Sequence, residues 1–279
     1  MRFSARLLVI LLLAAPALHA GQRVVSQTVG TDELLLALAD PGQIAALSQL
    51  ASNPDYSAVA DEARAYPGLQ PNGDAESILR YRPTLVLCSD YSRAELVAQL
   101  RRAGVRVLVF DKYLTMDEVY ANLRRLGAEL GEGSRASGLI ARCQARIARL
   151  DALLRGVAPI RVIAPSIYGV IPGTGTTFQE MCDHAGAINL AGTLGGLRGH
   201  SAPPVEQMLG WPVDRVVLTG KSVEDALAPF REMPPYSSME AVKSGRAVLL
   251  PAYQLSCVSF HRIEGWETLA RALHPEAFR

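Results

Sequence analysis

The sequence feature that most limits how this chain can fold is a weak internal duplication. Three segments of the first half recur in the same order in the second half. RVVSQTVGTDELLLAL from Arg23 corresponds to RVIAPSIYGVIPGTGTTFQEM from Arg161, ESILRYRPTLVL from Glu76 to EQMLGWPVDRVVL from Glu206, and AGVRVLVFD from Ala103 to SGRAVLLPAY from Ser244. The repeat predicts two lobes of similar structure.

Each half alternates short apolar runs with amphipathic stretches, which is the pattern of βαβ units. The runs TLVL, RVLVF, DRVVL and AVLL lack a period of two, as expected of strands that helices cover on both faces. We therefore predict an α/β fold of two Rossmann-like lobes, each with a central, mainly parallel sheet.

One long amphipathic helix is predicted between the halves. In GSRASGLIARCQARIARLDALLRGVAP, small or apolar residues recur at steps of three and four, and arginines occupy the other faces. The pattern predicts one helix from Ser134 to Arg155, ended by Gly156 and Pro159. The predicted organisation is a signal peptide 1–20, an N-terminal lobe 21–131, a bridging helix 132–157 and a C-terminal lobe 158–279.

The N-terminal segment has the organisation of a secretory signal peptide. Arg2 and Arg6 precede the apolar run LLVILLLAAPAL, and the small residue Ala20 stands at the expected cleavage site. A membrane anchor is the alternative, but the run is shorter than the roughly 20 apolar residues needed to span a bilayer. We expect export to the periplasm with cleavage near Ala20.

Charge and cysteine content limit the partners. A net charge of +1 without long runs of like charge disfavours a nucleic-acid partner. Export permits disulfides, and Cys88 and Cys143 lie in apolar patterns typical of buried thiols. Cys182 and Cys257 are therefore the candidate disulfide pair. No CxxC or CxxH spacing indicates a zinc site.

The glycine-rich segment PGTGTTF stands directly before a predicted helix but matches no nucleotide-binding motif. It has no GxxxxGK[ST] spacing, and Phe178 occupies the third glycine position of a GxGxxG motif. Backbone N–H groups at such a helix start suit polar or anionic edges of a ligand. The alternative is a plain polar turn in which Thr176 or Thr177 caps the helix.

An exported chain with two α/β lobes, a connecting helix and these motifs resembles the periplasmic binding proteins that deliver cobalamin, haem or ferric siderophores to ABC importers. The resemblance covers Gly21 to Arg279 and is strongest at AESILRYRPTLVLCSDY, LRRAGVRVLVFD and QEMCDHAGAINLAG. It implies a non-enzymatic, monomeric protein without a permanently bound cofactor. Such a protein captures a small-molecule metal chelate between its lobes and delivers it to an ABC permease dimer in the inner membrane.

Loops at the carboxyl ends of the strands are expected to line the cleft between the lobes. The ligand-binding candidates are Tyr56, Tyr91, Gly173, Thr174, Thr176, His200 and Tyr253. If the chelate is haem, Tyr91 or His200 is the candidate metal ligand, since haem iron is commonly held by His or Tyr.

The chelate itself stays open among a ferric siderophore, haem and a corrinoid. The clefts of the cobalamin binders are rich in tryptophan, whereas the two tryptophans here, Trp211 and Trp266, stand outside the predicted cleft loops. The arginine cluster expected for acidic catecholate siderophores is also missing, with Arg93 and Arg198 as the nearby candidates.

Glu76 and Glu206 occupy equivalent positions in the two halves. An acidic residue at a helix start interacts favourably with the helix dipole, and this interaction alone could explain the presence of a glutamate at either position. In the cobalamin and siderophore binders, one glutamate per lobe docks on arginines of the permease. Because these two residues match those positions by motif, the resemblance implies a permease-docking role for both.

Two other functions stay open. A free transition-metal-ion binder would need three or four converging His, Asp or Glu ligands. A chelatase-like enzyme would share the bilobal plan, whereas a hydrolase with a GxSxG nucleophile elbow is excluded because the sequence has no such motif.

Overall fold

The computed structural model describes residues 21–71 and 73–279, and the predicted signal peptide lies outside this part of the chain. The described residues form ten strands: β1 (Val24–Ser26), β2 (Ile44–Ala46), β3 (Leu85–Ser89), β4 (Arg106–Phe110), β5 (Ile160–Ile163), β6 (Ile171–Pro172), β7 (Ala187–Asn189), β8 (His200–Ser201), β9 (Arg215–Thr219) and β10 (Ala247–Leu250).

The described residues also form thirteen α-helices. They are α1 (Val29–Leu38), α2 (Ala60–Ala63), α3 (Ala75–Leu79), α4 (Ala94–Arg102), α5 (Met116–Leu130), α6 (Gly133–Leu153), α7 (Thr177–His184), α8 (Leu190–Thr193), α9 (Val205–Met208), α10 (Val223–Glu232), α11 (Glu240–Lys243), α12 (Ala252–Ser256) and α13 (Arg262–Leu273).

Two four-stranded parallel sheets carry the internal duplication. The N-lobe (β1–β4 with α1–α5) has the strand order β2-β1-β3-β4, and the C-lobe (β5–β10 with α7–α13) has the equivalent order β7-β5-β9-β10. Even a connecting hydrogen bond recurs: Thr84 N–H donates to the carbonyl of Arg23 at 2.8 Å, and Asp214 N–H to that of Arg161 at 3.0 Å. The predicted α/β fold with two similar lobes is confirmed.

The predicted long helix is present as α6, and it is tied to both lobes. Arg135 on α6 forms an ion pair with Asp40 of the N-lobe at 2.9 Å. Arg146, three turns further along, donates to both carboxylate oxygens of Glu267 in the C-lobe at 3.0 and 2.8 Å. Since α6 also packs against α5, α7 and α13, the helix couples the positions of the two lobes.

The largest cluster of buried apolar side chains runs across the lobe boundary. It includes Leu35 on α1, Leu123 on α5, Cys143 on α6 and Trp266 on α13. Burial of apolar surface is the main favourable contribution to folding. Because this cluster is shared, separating the lobes would expose part of it to water.

The candidate disulfide between Cys182 and Cys257 is not formed, and all four cysteines are free and buried. Cys182 lies on α7, whereas the Cys257 sulfur lies 3.7 Å from Oε2 of Glu33 in the N-lobe. Burial raises the pKa of both thiols, so they are protonated and inert at neutral pH. None of the helices in the described residues is long and apolar enough to cross a membrane.

Candidate functional site

Two cavities lie at the carboxyl ends of the strands. The N-lobe pocket, about 340 Å³, is lined by residues that follow β1, β2 and β3 and by the segment before α3: Gln27, Thr28, Val29, Ser48, Gln49, Leu50, Leu69, Gln70, Gly73, Ile78, Tyr91, Ser92 and Arg93. Parallel sheets commonly bind ligands at this edge, because the loops after several strands converge there.

The second cavity, the inter-lobe pocket, has a volume of about 560 Å³ and walls from both lobes. The N-lobe contributes the loop after β4, and the C-lobe contributes most of the rest: Tyr113, Leu114, Ala164, Pro165, Ser166, Tyr168, Val170, Pro172, Gly175, Thr176, Thr177, Phe178, Gly199, His200, Leu255, Ser256 and Val258. Its volume lies in the range typical of small-molecule sites.

A pair of tyrosine rings in mutual contact lies at the boundary between the two cavities. Tyr91 lines the N-lobe pocket and Tyr113 the inter-lobe pocket, and their rings meet edge to face with centroids 6.2 Å apart. The Tyr113 hydroxyl donates to Oδ1 of Asp90 at 3.0 Å. Burial, together with this carboxylate, raises the pKa of Tyr113 to about 12. Tyr113 is therefore a neutral phenol at the junction, held in place by Asp90.

A fully buried carboxyl group is bonded to one of the residues that line the N-lobe pocket. Asp32 on α1 accepts hydrogen bonds from the backbone N–H of Ser48 at 2.9 Å and from its hydroxyl at 2.5 Å. Burial raises the pKa of Asp32 from 3.8 to about 7. Asp32 thereby holds the loop after β2, of which Ser48 is a lining residue.

The neighbouring carboxyl group of Glu33 links the two lobes. It accepts the N–H of Ala58 at 3.0 Å within the N-lobe and faces the thiol of Cys257 from the C-lobe. One turn earlier, α1 approaches the same C-lobe loop so closely that a Cβ on Gly30 would lie 2.5 Å from Cγ2 of Val258. The pKa of Glu33 is raised by burial.

An ion pair in the C-lobe holds the loop that follows β4. Arg262, itself buried, donates to Oε2 of Glu180 at 2.6 Å and to the carbonyl oxygens of Tyr113 and Leu114. The N–H of Met116 donates to the other carboxylate oxygen of Glu180 at 2.8 Å. Two lining residues of the inter-lobe pocket therefore depend on side chains from the opposite lobe.

The glycine-rich segment acts both as a helix cap and as a wall. The Thr176 hydroxyl accepts the N–H of Gln179 at 3.2 Å, so Thr176 caps α7. Gly173 and Thr174 instead pair with the chain at 197–199, and a Cβ on Gly173 would lie 2.2 Å from the carbonyl oxygen of Leu197. Pro172 and the part of the segment from Gly175 onwards line the inter-lobe pocket, whereas Gly173 and Thr174 do not.

The predicted ligand-binding residues are only partly brought together. Tyr91, Thr176 and His200 line the two cavities. Tyr56, although 56% exposed, lines neither of them. Tyr253 also lines neither, because its hydroxyl turns away to donate to Oε2 of Glu264 at 3.0 Å.

Sequence reasoning missed several residues around the cavities. Tyr168, 86% exposed, and Phe178 both line the inter-lobe pocket. Asp32 and Glu33 could have been noticed as two adjacent acidic residues in the otherwise apolar helix VGTDELLLAL. Arg262 and Glu180 gave no local signal, since they are 82 positions apart.

The cavities carry little permanent charge. Among the described residues that line them, Arg93 is the only one with a permanent charge, and its Nη2 donates to the carbonyl of Gly73 at 2.9 Å. Within residues 21–71 and 73–279, no three His, Cys, Asp or Glu side chains are grouped so that they could hold a metal ion. Trp211 and Trp266 are buried and line neither cavity.

The chain matches the periplasmic binding protein family over residues 24–254, which include the strands of both sheets, the N-lobe pocket and most of the inter-lobe pocket. It belongs to this family. The members are binding proteins rather than enzymes, and they work in the periplasm with ABC importers. Of the two cavities in this periplasmic binding protein, the inter-lobe pocket is the one whose walls come from both lobes.

Individual proteins resemble this periplasmic binding protein over nearly its whole length. A cobalamin-binding protein of Halobacterium salinarum is 24% identical over 263 residues, which cover 91% of this chain and 69% of the relative. The periplasmic haem-binding protein RhuT from Roseiflexus sp. RS-1 has a TM-score of 0.78 at 23% identity, with 92% of this chain and 99% of that chain covered. The vitamin B12-binding protein BtuF of Vibrio cholerae has a TM-score of 0.70 at 17% identity, with 92% and 98% covered. The solved structures establish the shared fold.

Proposed function

We propose that this protein captures a metal chelate of low net charge between its lobes and delivers it to an ABC importer. The inter-lobe pocket is the observation that carries the proposal, because its volume and its walls from both lobes suit a bulky ligand. Tyr113 and Tyr168 contribute aromatic surface for a flat macrocycle. The relatives named as binding cobalamin, haem or vitamin B12 support the same class of ligand.

The charge of the cavities favours haem or a corrinoid over a ferric catecholate siderophore. A ferric tris-catecholate carries several negative charges, and burying charges without partners is unfavourable. Arg93 alone among the lining residues supplies a permanent positive charge. A chelate with an almost uncharged macrocycle is therefore the better match.

A side-chain contact to the metal is proposed for haem only. Tyr91 is 58% exposed in the N-lobe pocket, and His200 is exposed in the inter-lobe pocket. Both carry atoms that ligate haem iron in proteins. A corrinoid would instead be held through its periphery, for which Ser166 and Thr177 provide hydroxyl groups in the lining of the inter-lobe pocket.

Docking to a dimeric permease through Glu76 and Glu206 is part of the proposal. Both residues lie in the first turns of short surface helices, α3 and α9. The Glu76 side chain is 76% exposed and pairs only with the neighbouring Arg80 among the described contacts. Glu206 is flanked by the exposed apolar side chains of Val205 and Leu209, which suit a protein contact.

Export is proposed to occur through cleavage near Ala20, giving a mature monomer that begins near Gly21. The intact mass of the secreted protein tests the cleavage site. A mass that includes Met1 would contradict it.

Ligand titration of the purified mature protein tests the proposed function. We expect haemin or cyanocobalamin to bind with a change in its visible spectrum, and a ferric tris-catecholate to bind at least tenfold more weakly. Zinc and manganese ions serve as controls for free-metal binding. Failure of all three chelates to bind, or tighter binding of a free metal ion, would contradict the proposal.

A further inference from the structure

We propose that the N-lobe pocket is a subsite for a singly anionic, hydrogen-bonding appendage of the chelate, recognised by Arg93, while the metal macrocycle occupies the inter-lobe pocket. This inference rests on the proposed function and makes the ligand class more specific. The ligand would be a metal macrocycle with a side arm that bears an anionic group. The phosphodiester of a corrinoid nucleotide tail and a propionate of haem both have this chemistry.

The two cavities are placed to hold two parts of one molecule. The rings of Tyr91 and Tyr113 are in contact, so the two cavities share a wall, and a ligand that covers Tyr113 in the inter-lobe pocket lies beside the N-lobe pocket. The volumes are also unequal, about 560 Å³ against 340 Å³. The larger cavity suits the macrocycle and the smaller one suits a side arm.

The side chains around the two cavities differ in chemistry. The inter-lobe pocket combines aromatic and apolar side chains with a few hydroxyl groups. The N-lobe pocket instead has three amide side chains, Gln27, Gln49 and Gln70, in addition to Arg93. Amides and hydroxyls both donate and accept hydrogen bonds, so they match an arm with several polar atoms rather than a hydrocarbon.

One of these amides has its orientation set by a neighbour. The Ser92 hydroxyl accepts the N–H of Ser89 at 3.1 Å and donates to Oε1 of Gln27 at 2.5 Å. With its oxygen engaged in this way, Gln27 has its NH₂ group as the end that donates to a ligand. Arg93 and Gln27 therefore both offer donors, which favours an acceptor-rich, anionic group.

Arg93 is suited to bind such a group without being displaced. Its Nη2 donates to the carbonyl of Gly73 at 2.9 Å, which anchors one edge of the guanidinium. A guanidinium has five N–H donors in a planar fork, so it can hold a backbone oxygen and an anionic oxygen together. A single cation balances one negative charge, which limits the appendage to a singly charged group.

Paired ligands with and without the anionic appendage test this inference. Cyanocobalamin is compared with dicyanocobinamide, which lacks the nucleotide tail, and haemin with its dimethyl ester, which lacks free propionates. We expect the wild-type protein to bind the anionic member of one pair at least tenfold more tightly. The pair that shows this difference identifies the source of the anionic group.

We expect Arg93→Gln to lower the affinity for the anionic member of the pair at least tenfold. The affinity for the member without the anionic group should fall less than twofold. Arg102→Gln, an exposed arginine on the neighbouring helix α4 outside both cavities, is the matched control and should change neither. If Arg93→Gln lowers the affinity for both members equally, or for neither, the proposed subsite is overturned while the proposed chelate function stands. Absence of binding by every chelate to the wild-type protein would overturn both.

Discussion

The guanidinium Nη1 of Arg262 lies 2.6 Å from Oε2 of Glu180, and together these two C-lobe side chains hold a loop of the N-lobe. Arg262 donates to the carbonyl oxygens of Tyr113 and Leu114, and Glu180 accepts the N–H of Met116. The side chains of that loop form part of the inter-lobe pocket. The ion pair therefore builds the binding cavity from two lobes, in addition to any contribution to stability.

Removing one or both members of this ion pair should separate stability from ligand affinity. Arg262→Met leaves the Glu180 carboxylate without its buried partner, and we expect a loss of about 3–5 kcal/mol in the free energy of unfolding. Arg262→Met with Glu180→Met replaces the pair by apolar side chains and should recover most of that loss. The double variant should still bind chelate more weakly, because the carbonyl groups of Tyr113 and Leu114 and the N–H of Met116 have lost their side-chain partners and no longer hold the loop. Urea unfolding and chelate titration measure the two effects, and wild-type affinity in the double variant would show that the pair does not position the loop.

Ligand binding should move the lobes only slightly relative to each other. The helix α6 is bonded to both lobes, and the contacts of Arg262 and Glu33 cross the boundary beside the cleft. Opening the lobes widely would break these polar contacts and expose the shared apolar cluster. Crystal structures with and without chelate measure the change in lobe orientation. A rotation of tens of degrees would contradict this expectation.

The stability of the protein should depend on pH through Asp32. Burial raises the pKa of its carboxyl group from 3.8 to about 7, so the folded state binds its proton more tightly than the unfolded state does. The contribution of Asp32 to stability is therefore greatest below about pH 4 and is lost as pH rises towards 7. The asparagine side chain of Asp32→Asn does not titrate. The free energy of unfolding of this variant, relative to that of the wild type, should therefore increase between pH 4 and pH 8. Urea unfolding at several pH values measures this, and a constant difference between the two proteins would argue against the raised pKa.

Replacing the two proposed docking residues should impair transport without affecting the cleft. We expect Glu76→Ala with Glu206→Ala to retain the fold and the chelate affinity but to lose most uptake, because exposed ion pairs mainly set orientation and association rate. Glu95→Ala with Glu224→Ala is the matched control, since these are also exposed first-turn glutamates, one in each lobe. Uptake by the cells that express each variant is the measurement. Normal uptake with the first pair, or an equal loss with the control pair, would refute specific docking.

The repeat and the local patterns were sufficient to predict much of the architecture. The order of the duplicated segments predicted two similar lobes, each with a mainly parallel sheet, and the two sheets found have the equivalent orders β2-β1-β3-β4 and β7-β5-β9-β10. The spacing of apolar residues predicted α6, and of the two alternative caps named for α7, Thr176 and Thr177, Thr176 is the one found. These features were predictable because helix periodicity and capping depend on residues a few positions apart.

Only the tertiary structure decided which side chains reach the cavities and which are buried between the lobes. Tyr56, Tyr91 and Tyr253 were all predicted to bind the ligand, but of the three only Tyr91 lines either cavity. The Tyr253 hydroxyl is bonded to Glu264 instead. Cys182 and Cys257 were the candidate disulfide pair because the other two cysteines lie in apolar patterns. In the structure they lie in different surroundings and remain free. Arg262 and Glu180 come together because α13 packs against α7, and the loop after β4 then bonds to both side chains. Such contacts join segments far apart in the chain, so no local pattern of residue types encodes them, and they determine where the ligand can bind.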